Sequence, residues 1–181
     1  MSVRLFVAVD VPETHLDALA QLQTPDLDAR WTPRGQHHLT LRFIGDVGEE
    51  QVEAITAALA QVAAAPLTLE AAGLDALPSR RRPRVIVVPV GADPQLERLH
   101  LSVEAALSRL DIPADPKPFL PHITVGRLKR ASAQDVRRYL RTHAGFRLPA
   151  WEVRTLTLYR STLRPEGAVH EQLASFALGT P

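Results

Sequence analysis

Two short stretches of the sequence share one form: HLTL at residues 38–41 and HITV at residues 122–125. Each consists of a histidine, an apolar residue, a threonine and a second apolar residue. In a β-strand, alternate residues point to the same face of the sheet, so the histidine and threonine of each stretch share a face. The apolar residues then face the core. With one copy in each half of the chain, the repeat predicts an internal duplication that presents two equivalent polar faces.

The pattern around these stretches predicts a mixed α+β fold rather than a regular βαβ repeat. Apolar residues recur at helical spacing in two long segments, and Asp93 and Ser132 are predicted N-caps. No glycine-rich phosphate loop of the GxGxxG or GxxxxGK[ST] type occurs, which disfavours a nucleotide-cofactor or ATP-hydrolysis function. The predicted order is β-α-β-α-β-β-α-β-α-β-β, with strands at residues 3–9, 37–44, 67–71, 85–90, 122–128, 148–163 and 171–178, and helices at residues 12–24, 49–65, 93–110 and 132–142.

The composition is that of a folded protein, and we expect the protein to lie in the cytoplasm. The chain has 181 residues, 45% of them hydrophobic, with 21 Lys+Arg against 20 Asp+Glu and no cysteine. Disulfides, thiolate metal sites and thiol nucleophiles are therefore excluded. No apolar run approaches the roughly 20 residues that a membrane span requires. We expect residues 1–181 to form one domain of two pseudo-symmetric lobes, and we expect a monomer.

The repeated motif suggests a specific chemistry. If the halves pack about a pseudo-twofold axis, the two His/Thr faces meet in one groove. Because the pKa of histidine lies near 6.5, one ring can be neutral and the other protonated near pH 7. In-line displacement at phosphorus needs a base on the attacking oxygen and an acid on the leaving oxygen. Two histidines meet that need without a metal or cofactor, and the threonine hydroxyls can donate hydrogen bonds to phosphoryl oxygens.

The residues around both motifs extend this pattern into a family resemblance. HLTLRFIG at residues 38–45 and PHITVGR at residues 121–127 resemble the two signature motifs of the 2H phosphoesterase superfamily. Within it, the chain is most similar to the bacterial LigT-like RNA 2′,3′-cyclic phosphodiesterases of the 2′-5′ RNA ligase family. The resemblance extends to RLFVAV at residues 4–9 and LYRSTL at residues 158–163. It implies a bilobal fold in which antiparallel sheets line a central groove and the helices lie outside.

The resemblance also implies an activity and a set of site residues. The activity is metal-independent hydrolysis of a 2′,3′-cyclic phosphate on RNA or a nucleotide to a 2′-phosphate, and reversal of this reaction would join RNA ends by a 2′-5′ linkage. The implied catalytic residues are His38, Thr40, His122 and Thr124. His122 is the implied base and His38 the implied acid, although pseudo-symmetry leaves the two roles interchangeable on the residues alone.

Two arginines are candidate phosphate ligands. Arg127 matches a basic residue that family members often place on the phosphate. It lies five residues after His122, so it reaches the groove only if the strand ends or bulges near Gly126. By simple alternation, Arg42 shares the face of His38 and competes for the same role.

Other residues have weaker signals. His37 is expected to point away from the groove, and Phe43 is expected in the core. Trp31 and Phe119 are candidate platforms for a terminal base. His170 stands where relatives often carry an aromatic residue, and the basic cluster Arg80–Arg84 is either a solvated loop or a contact to an RNA backbone.

Two other functions remain open on the sequence. A non-catalytic module that binds RNA ends would keep the groove and its arginines without needing both histidines. A metal-dependent phosphoesterase would need carboxylate ligands near the motifs, for which Asp10 and Asp46 are the candidates.

Overall fold

A computed structural model describes residues 1–179, and the last two residues of the predicted domain lie outside this range. Within it, the chain forms four α-helices: α1 (Glu13–Ala20), α2 (Val52–Ala60), α3 (Pro94–Ser108) and α4 (Ala133–Thr142). The strands over the same residues are β1 (Ser2–Asp10), β2 (Ala29–Trp31), β3 (His38–Gly48), β4 (Leu67–Ala72), β5 (Asp75–Leu77), β6 (Val85–Pro89), β7 (His122–Leu128), β8 (Arg147–Val153), β9 (Thr155–Arg164) and β10 (Gly167–Ala177).

Most strands belong to one antiparallel sheet with the order β10-β9-β1-β3-β7-β6-β5, and β2 pairs with β7. Strands β4 and β8 form a separate two-stranded sheet. In the centre of the large sheet, β3 and β7 are paired through Leu39 and Ile123. The two motif strands are therefore neighbours at the centre of the sheet.

The helices pack against the apolar face of these motif strands. Leu39, Leu41, Ile123 and Val125 are almost completely buried, in one core with Leu99 and other helix residues. The predicted caps are present. Asp93 accepts hydrogen bonds from the backbone N–H groups of Gln95 and Leu96, and Ser132 forms a reciprocal capping box with Asp135. Over residues 1–179, no helix has the length and apolar character needed to cross a membrane.

The prediction of one strand, continuous or bulged, over residues 148–163 is wrong. The structure breaks it at Arg154 into β8, which pairs with β4, and β9, which pairs with β1. Buried positions fall at Trp151 and Val153 before the break and at Leu156 and Leu158 after it. The alternation thus changes phase at Arg154, which is the sign of a change of sheet.

Three smaller expectations also need correction. Strands β2 and β5 were not predicted, because three residues are too few to show an alternating pattern. The helix expected over residues 49–65 begins as a 3₁₀ turn at Glu49–Gln51 and ends at Ala60. Helix α1 ends at Ala20, earlier than the sequence suggests.

Candidate active site

Each motif strand carries a β-bulge directly after its threonine. On β3, Thr40 pairs with Ala8 and Arg42 pairs with Val7, so the strand holds one more residue than its partner. On β7, Thr124 pairs with Val87 and Gly126 with Ile86, and the extra residue is Val125. A bulge moves every later side chain to the other face of the sheet. The two motifs therefore share a local irregularity as well as a sequence.

The four motif side chains lie on one face of the sheet. Leu39 and Ile123 are opposite each other and point into the core, so their polar neighbours point to the other face. Extending this antiparallel register places His38 across from Thr124, and Thr40 across from His122. Direct neighbours in such a sheet have Cβ atoms about 5 Å apart, and diagonal neighbours lie about 7–8 Å apart. The two histidines occupy one diagonal of this rectangle and the two threonines occupy the other.

Both imidazole rings are held in the same way. Nδ1 of His38 lies 2.9 Å from the carbonyl oxygen of Gln36, and Nδ1 of His122 lies 2.6 Å from that of Leu120. A carbonyl oxygen only accepts, so Nδ1 carries a proton and donates it in both cases. This fixes Nε2 as the nitrogen that gains or loses a proton. Because each carbonyl lies two residues before its histidine, the arrangement repeats with the motif.

The surroundings of His38 are aromatic and closely packed. Its ring stacks on Phe6 with centroids 4.7 Å apart, and the ring of His170 approaches it edge-on at 5.3 Å. Tyr159 stacks on the same Phe6 at 5.1 Å. Burial lowers the pKa of His38 to about 4, and burial also lowers the pKa of His170. His38 is therefore neutral at pH 7 in the free protein.

A carboxylate lies opposite His38 on the neighbouring strand. Asp10 of β1 pairs with His38 in the sheet. Its Oδ2 accepts a hydrogen bond from the Thr157 hydroxyl at 2.9 Å, and its Oδ1 accepts one from the Tyr159 hydroxyl. Burial, and then the bond to Asp10, raises the pKa of Tyr159, so its hydroxyl keeps its proton.

Asp46, the other carboxylate considered as a metal ligand, is bound by Arg4. The Arg4 side chain donates to both carboxylate oxygens, at 3.1 and 2.9 Å. Within residues 1–179, no group of three or more His, Cys, Asp or Glu side chains is placed to hold a metal ion.

The prediction that Arg42 shares the face of His38 is wrong. The bulge at Leu41 turns Arg42 to the helix side, where it is only 5% exposed. There it forms an ion pair with Glu104 of α3 and donates hydrogen bonds to the carbonyl oxygens of Phe43 and Pro113. Arg42 is therefore a structural residue that fastens β3 to α3.

One residue further along each strand, the bulge turns the side chain away from the core and onto the face of the histidines. Arg127 is turned onto the face of His122, where it is exposed between Arg30 of β2 and Val85 of β6. The bulge near Gly126 that this position requires is thus present. Phe43, the corresponding residue of β3, is turned out of the core and is 48% exposed, so its predicted core position is wrong.

The two aromatic residues that the sequence offers as platforms for a base both pack against other residues of the protein. Trp31 covers Gly126: a Cβ at that glycine would lie 2.8 Å from Cε3 of the indole, which also packs near Tyr139 of α4. Phe119 stacks on His100 of α3, with centroids 4.1 Å apart. Both rings are half-buried in these contacts.

The remaining sequence candidates divide between core and surface. His37 is buried, as its position on the other side of the strand implies, and burial lowers its pKa to about 4. In the arginine cluster, Arg80 donates to Asp75 at 2.9 Å, and Arg81, Arg82 and Arg84 are exposed.

Sequence reasoning missed two features of the site, the Asp10 network and the exposure of Phe43. Only the second had a sequence signal. Gly126 interrupts the alternation of apolar and polar residues in HITVGRL (residues 122–128), which indicates a bulge. Because the motif is repeated, the same bulge is expected in β3.

Comparison with known proteins places this geometry in a family. The model of the 2′-5′ RNA ligase superfamily matches residues 9–164, which include both motifs and Asp10. The chain belongs to the 2′-5′ RNA ligase superfamily.

Curated relatives in the superfamily align over nearly the whole chain. The RNA 2′,3′-cyclic phosphodiesterase of Archaeoglobus fulgidus is 34% identical, with 96% of this chain and 99% of the relative covered. The protein of the same name from Thermus thermophilus is 36% identical, with 97% and 90% covered.

Solved structures agree with the fold. The crystal structure of TT0787 of Thermus thermophilus matches with a TM-score of 0.81 and 30% identity, covering 97% of each chain. E. coli LigT complexed with 3′-AMP matches with a TM-score of 0.77 over 99% and 100% of the chains; at 24% identity, it supports the fold alone. The expectation of a LigT-like α+β fold is confirmed.

Proposed function

We propose that this superfamily member hydrolyses the 2′,3′-cyclic phosphate of RNA or a nucleotide to a 2′-phosphate, without a metal ion. The observation that carries the proposal is the matched geometry of His38 and His122, each with Nδ1 bonded to a backbone carbonyl and each beside a threonine. The names of the curated relatives support the same substrate class.

The reaction needs one proton accepted and one donated at phosphorus. Nε2 of His122 accepts a proton from water as its oxygen attacks the phosphorus. Nε2 of His38 donates a proton to O3′ as the P–O3′ bond breaks, which leaves the phosphate on O2′. Each turnover leaves His122 protonated and His38 neutral, and exchange with solvent restores the starting state. The geometry suits this division because the histidines lie on a diagonal, on opposite sides of the phosphate.

The remaining groups stabilise the charge on the phosphoryl oxygens. The hydroxyls of Thr40 and Thr124 lie between the histidines on the other diagonal and donate hydrogen bonds to the non-bridging oxygens. Arg127, on the same face beyond Thr124, adds a cation with a planar set of donors that suits phosphate. Arg42 has no part in this arrangement, since its donors are used inside the protein.

Burial of His38 has a consequence for substrate binding. A ring with a pKa of about 4 is neutral at pH 7 and cannot donate a proton as an acid. The negative charge of the bound phosphodiester favours the protonated ring. Binding of substrate therefore draws a proton onto His38 and completes the acid–base pair.

The same site can also join two RNA ends. A 5′-hydroxyl in the position of the attacking water, with a cyclic phosphate as the other reactant, gives a 2′-5′ linkage without ATP. We further propose that residues 1–181 act as a single domain of two lobes, and that the protein is a monomer in the cytoplasm. Size-exclusion chromatography with light scattering tests the oligomeric state.

The test is turnover of 2′,3′-cyclic nucleotides after exhaustive EDTA treatment. We expect the wild type to keep full activity, and His38→Ala and His122→Ala each to lose about 10²–10⁴-fold in kcat. The double variant should be little worse than either single variant, because the two groups act as a unit. His37→Gln is the matched control, since this neighbouring histidine lies in the core; its turnover per folded molecule should be unchanged.

Two outcomes would contradict the proposal. Activity that EDTA abolishes and zinc or manganese restores would indicate a metal-dependent enzyme. Tight binding of RNA ends without turnover would indicate the binding module instead.

A further inference from the structure

The two halves of the site differ in what lies beside each histidine. Strand β1 pairs with β3 in the same register as β6 pairs with β7, including the bulge. Every residue of β1 near the motif therefore has a counterpart on β6. Asp10, which lies opposite His38, corresponds to Pro89, which lies opposite His122. One histidine has a carboxylate as its cross-strand neighbour, and the other has a proline.

The Asp10 carboxylate is held in place from the next strand. Thr157, which is fully buried, donates to Oδ2, and Tyr159 donates to Oδ1. Ala8 lies between Asp10 and Phe6 on this face of β1, and its small side chain leaves room for the ring of His38 to reach Phe6. The network thus fixes the carboxylate and the imidazole side by side.

The corresponding residues of the other half do not form such a network. Leu77 of β5 takes the place of Tyr159, and Asp75 takes the place of Thr157. The carboxylate of Asp75 accepts from Arg80 at 2.9 Å and from the backbone N–H of Ala76 at 2.8 Å. This anion is engaged at the edge of the sheet, two strands away from His122.

The charged and titratable groups around His38 act in opposing directions. Burial disfavours its protonated form, as do His170, which approaches edge-on, and His37, which precedes it. The carbonyl oxygen of Gln36, which accepts from Nδ1, favours the protonated form most, and Asp10 is the anion that adds to this effect. Tyr159 is a neutral donor whose hydroxyl is directed to Asp10. Because the carbonyl oxygen of Leu120 holds His122 in the same way, Asp10 is the favourable neighbour that His38 has and His122 lacks.

We propose that Asp10 is a positioning residue that makes His38 the proton donor of the pair, through a carboxylate that has no counterpart beside His122. This inference rests on the proposed function and gives a physical reason for its division of acid and base roles. The motifs themselves are symmetric and do not assign the roles, whereas the neighbouring strands do. His38 is the acid on O3′, and His122, opposite Pro89, is the base.

The test is the pH dependence of kcat for Asp10→Asn, which removes the charge and keeps the size. Loss of the neighbouring opposite charge lowers the pKa of His38, the acid of the pair, by about one unit or more. The alkaline limb of the profile should therefore move down by about one pH unit, and kcat above that limb should fall about tenfold. The acidic limb, which reports His122, and KM should stay unchanged. Asp75→Asn is the matched control on the other half and should move neither limb.

A purely structural role would give a different result. It would lower thermal stability, or lower kcat equally at every pH, and the alkaline limb would stay in place; that outcome overturns the proposal. If Asp10→Asn does not fold, Asp10→Ser, which keeps a hydrogen-bonding oxygen, is measured in its place. A shift of the limb in Asp75→Asn as large as in Asp10→Asn would also overturn it.

A titration without turnover separates this inference from the proposed function. The C2 proton of His38, assigned with His38→Gln, is followed by NMR against pH in the presence of inorganic phosphate. Asp10→Asn should lower the midpoint by about one unit, and Asp75→Asn should not. This shift in a protein that does not hydrolyse cyclic nucleotides would reject the function and keep only the effect of Asp10 on the pKa of His38. Turnover with no shift would reject the role of Asp10 alone.

Discussion

Replacing Arg42 and Arg127 by methionine should separate stability from activity. Arg42 is 5% exposed, with a carboxylate and two carbonyl oxygens as partners, and Arg127 is exposed on the face of His122. Breaking a buried ion pair by removing one partner costs about 3–5 kcal/mol, because the other charge stays buried. Glu104 keeps 17% side-chain exposure and methionine fills part of the space, so we expect about 3 kcal/mol for Arg42→Met.

Arg127→Met should have the opposite profile. An exposed substitution away from the core changes the free energy of unfolding by about 0.5 kcal/mol or less. Loss of a cation and its donors at the phosphoryl group should lower kcat/KM by about 10²-fold, similar to the loss of one oxyanion donor.

Urea denaturation and turnover of a 2′,3′-cyclic nucleotide, measured under conditions where each variant is folded, check both expectations. Glu104→Gln combined with Arg42→Met should recover part of the lost stability, because it removes the unpaired charge. A stable but inactive Arg42→Met would place Arg42 in the groove, and the bulge-based assignment of the two faces would be wrong.

Three further predictions concern stability and rate. Because burial lowers the pKa of His37 and of His38 to about 4, each binds a proton on unfolding below its ordinary pKa of 6.5. The free energy of unfolding should thus be highest above pH 6.5 and fall towards pH 4, by up to about 3 kcal/mol for each histidine. Urea denaturation of the wild type and of His37→Gln at several pH values should show a smaller fall in the variant. Gly126→Ala should lose about 1–3 kcal/mol in the same assay, because the new Cβ lies 2.8 Å from the Trp31 ring; an unchanged midpoint would contradict this packing. Thr124→Ala should lower kcat less than His122→Ala, because it removes one hydrogen bond and leaves proton transfer intact; equal losses would contradict its role.

The sequence predicts the elements that carry long periodic patterns and the motifs that repeat. Strands β1, β3, β6 and β7 and the capped helices α3 and α4 belong to this group, since alternation, helical spacing and N-cap residues are local signals. Hydrogen bonding across the sheet is not local. The short strand β2 forms because it pairs with β7, and β5 forms because it pairs with β6. The residues of β2 and β5 alone do not reveal these partners.

The two arginines show why the site could be predicted only in part. In HLTLRF (residues 38–43), apolar and polar residues alternate without a break, so alternation places Arg42 in the groove and Phe43 in the core. The bulge at Leu41 reverses both positions. In the second copy, Gly126 disturbs the alternation and reveals the bulge. Comparison of the two copies carries information that neither strand contains alone.

The role of Asp10 could not be read from the sequence for a similar reason. It stands at the end of β1, 28 residues before His38, and its hydrogen-bond donors follow almost 150 residues later. Only the register β9-β1-β3 brings them together.

The central claim is that two histidines on one sheet face open a 2′,3′-cyclic phosphate on its 3′ side without a metal ion. Phosphorus NMR of the product formed from a 2′,3′-cyclic nucleotide in EDTA tests this claim most directly, with wild type, His38→Ala and His122→Ala compared at equal concentrations of folded protein. The account predicts a single 2′-phosphate resonance for the wild type and unreacted cyclic phosphate for both variants. A 3′-phosphate product, or a 2′-phosphate formed at the wild-type rate by either variant, would contradict it.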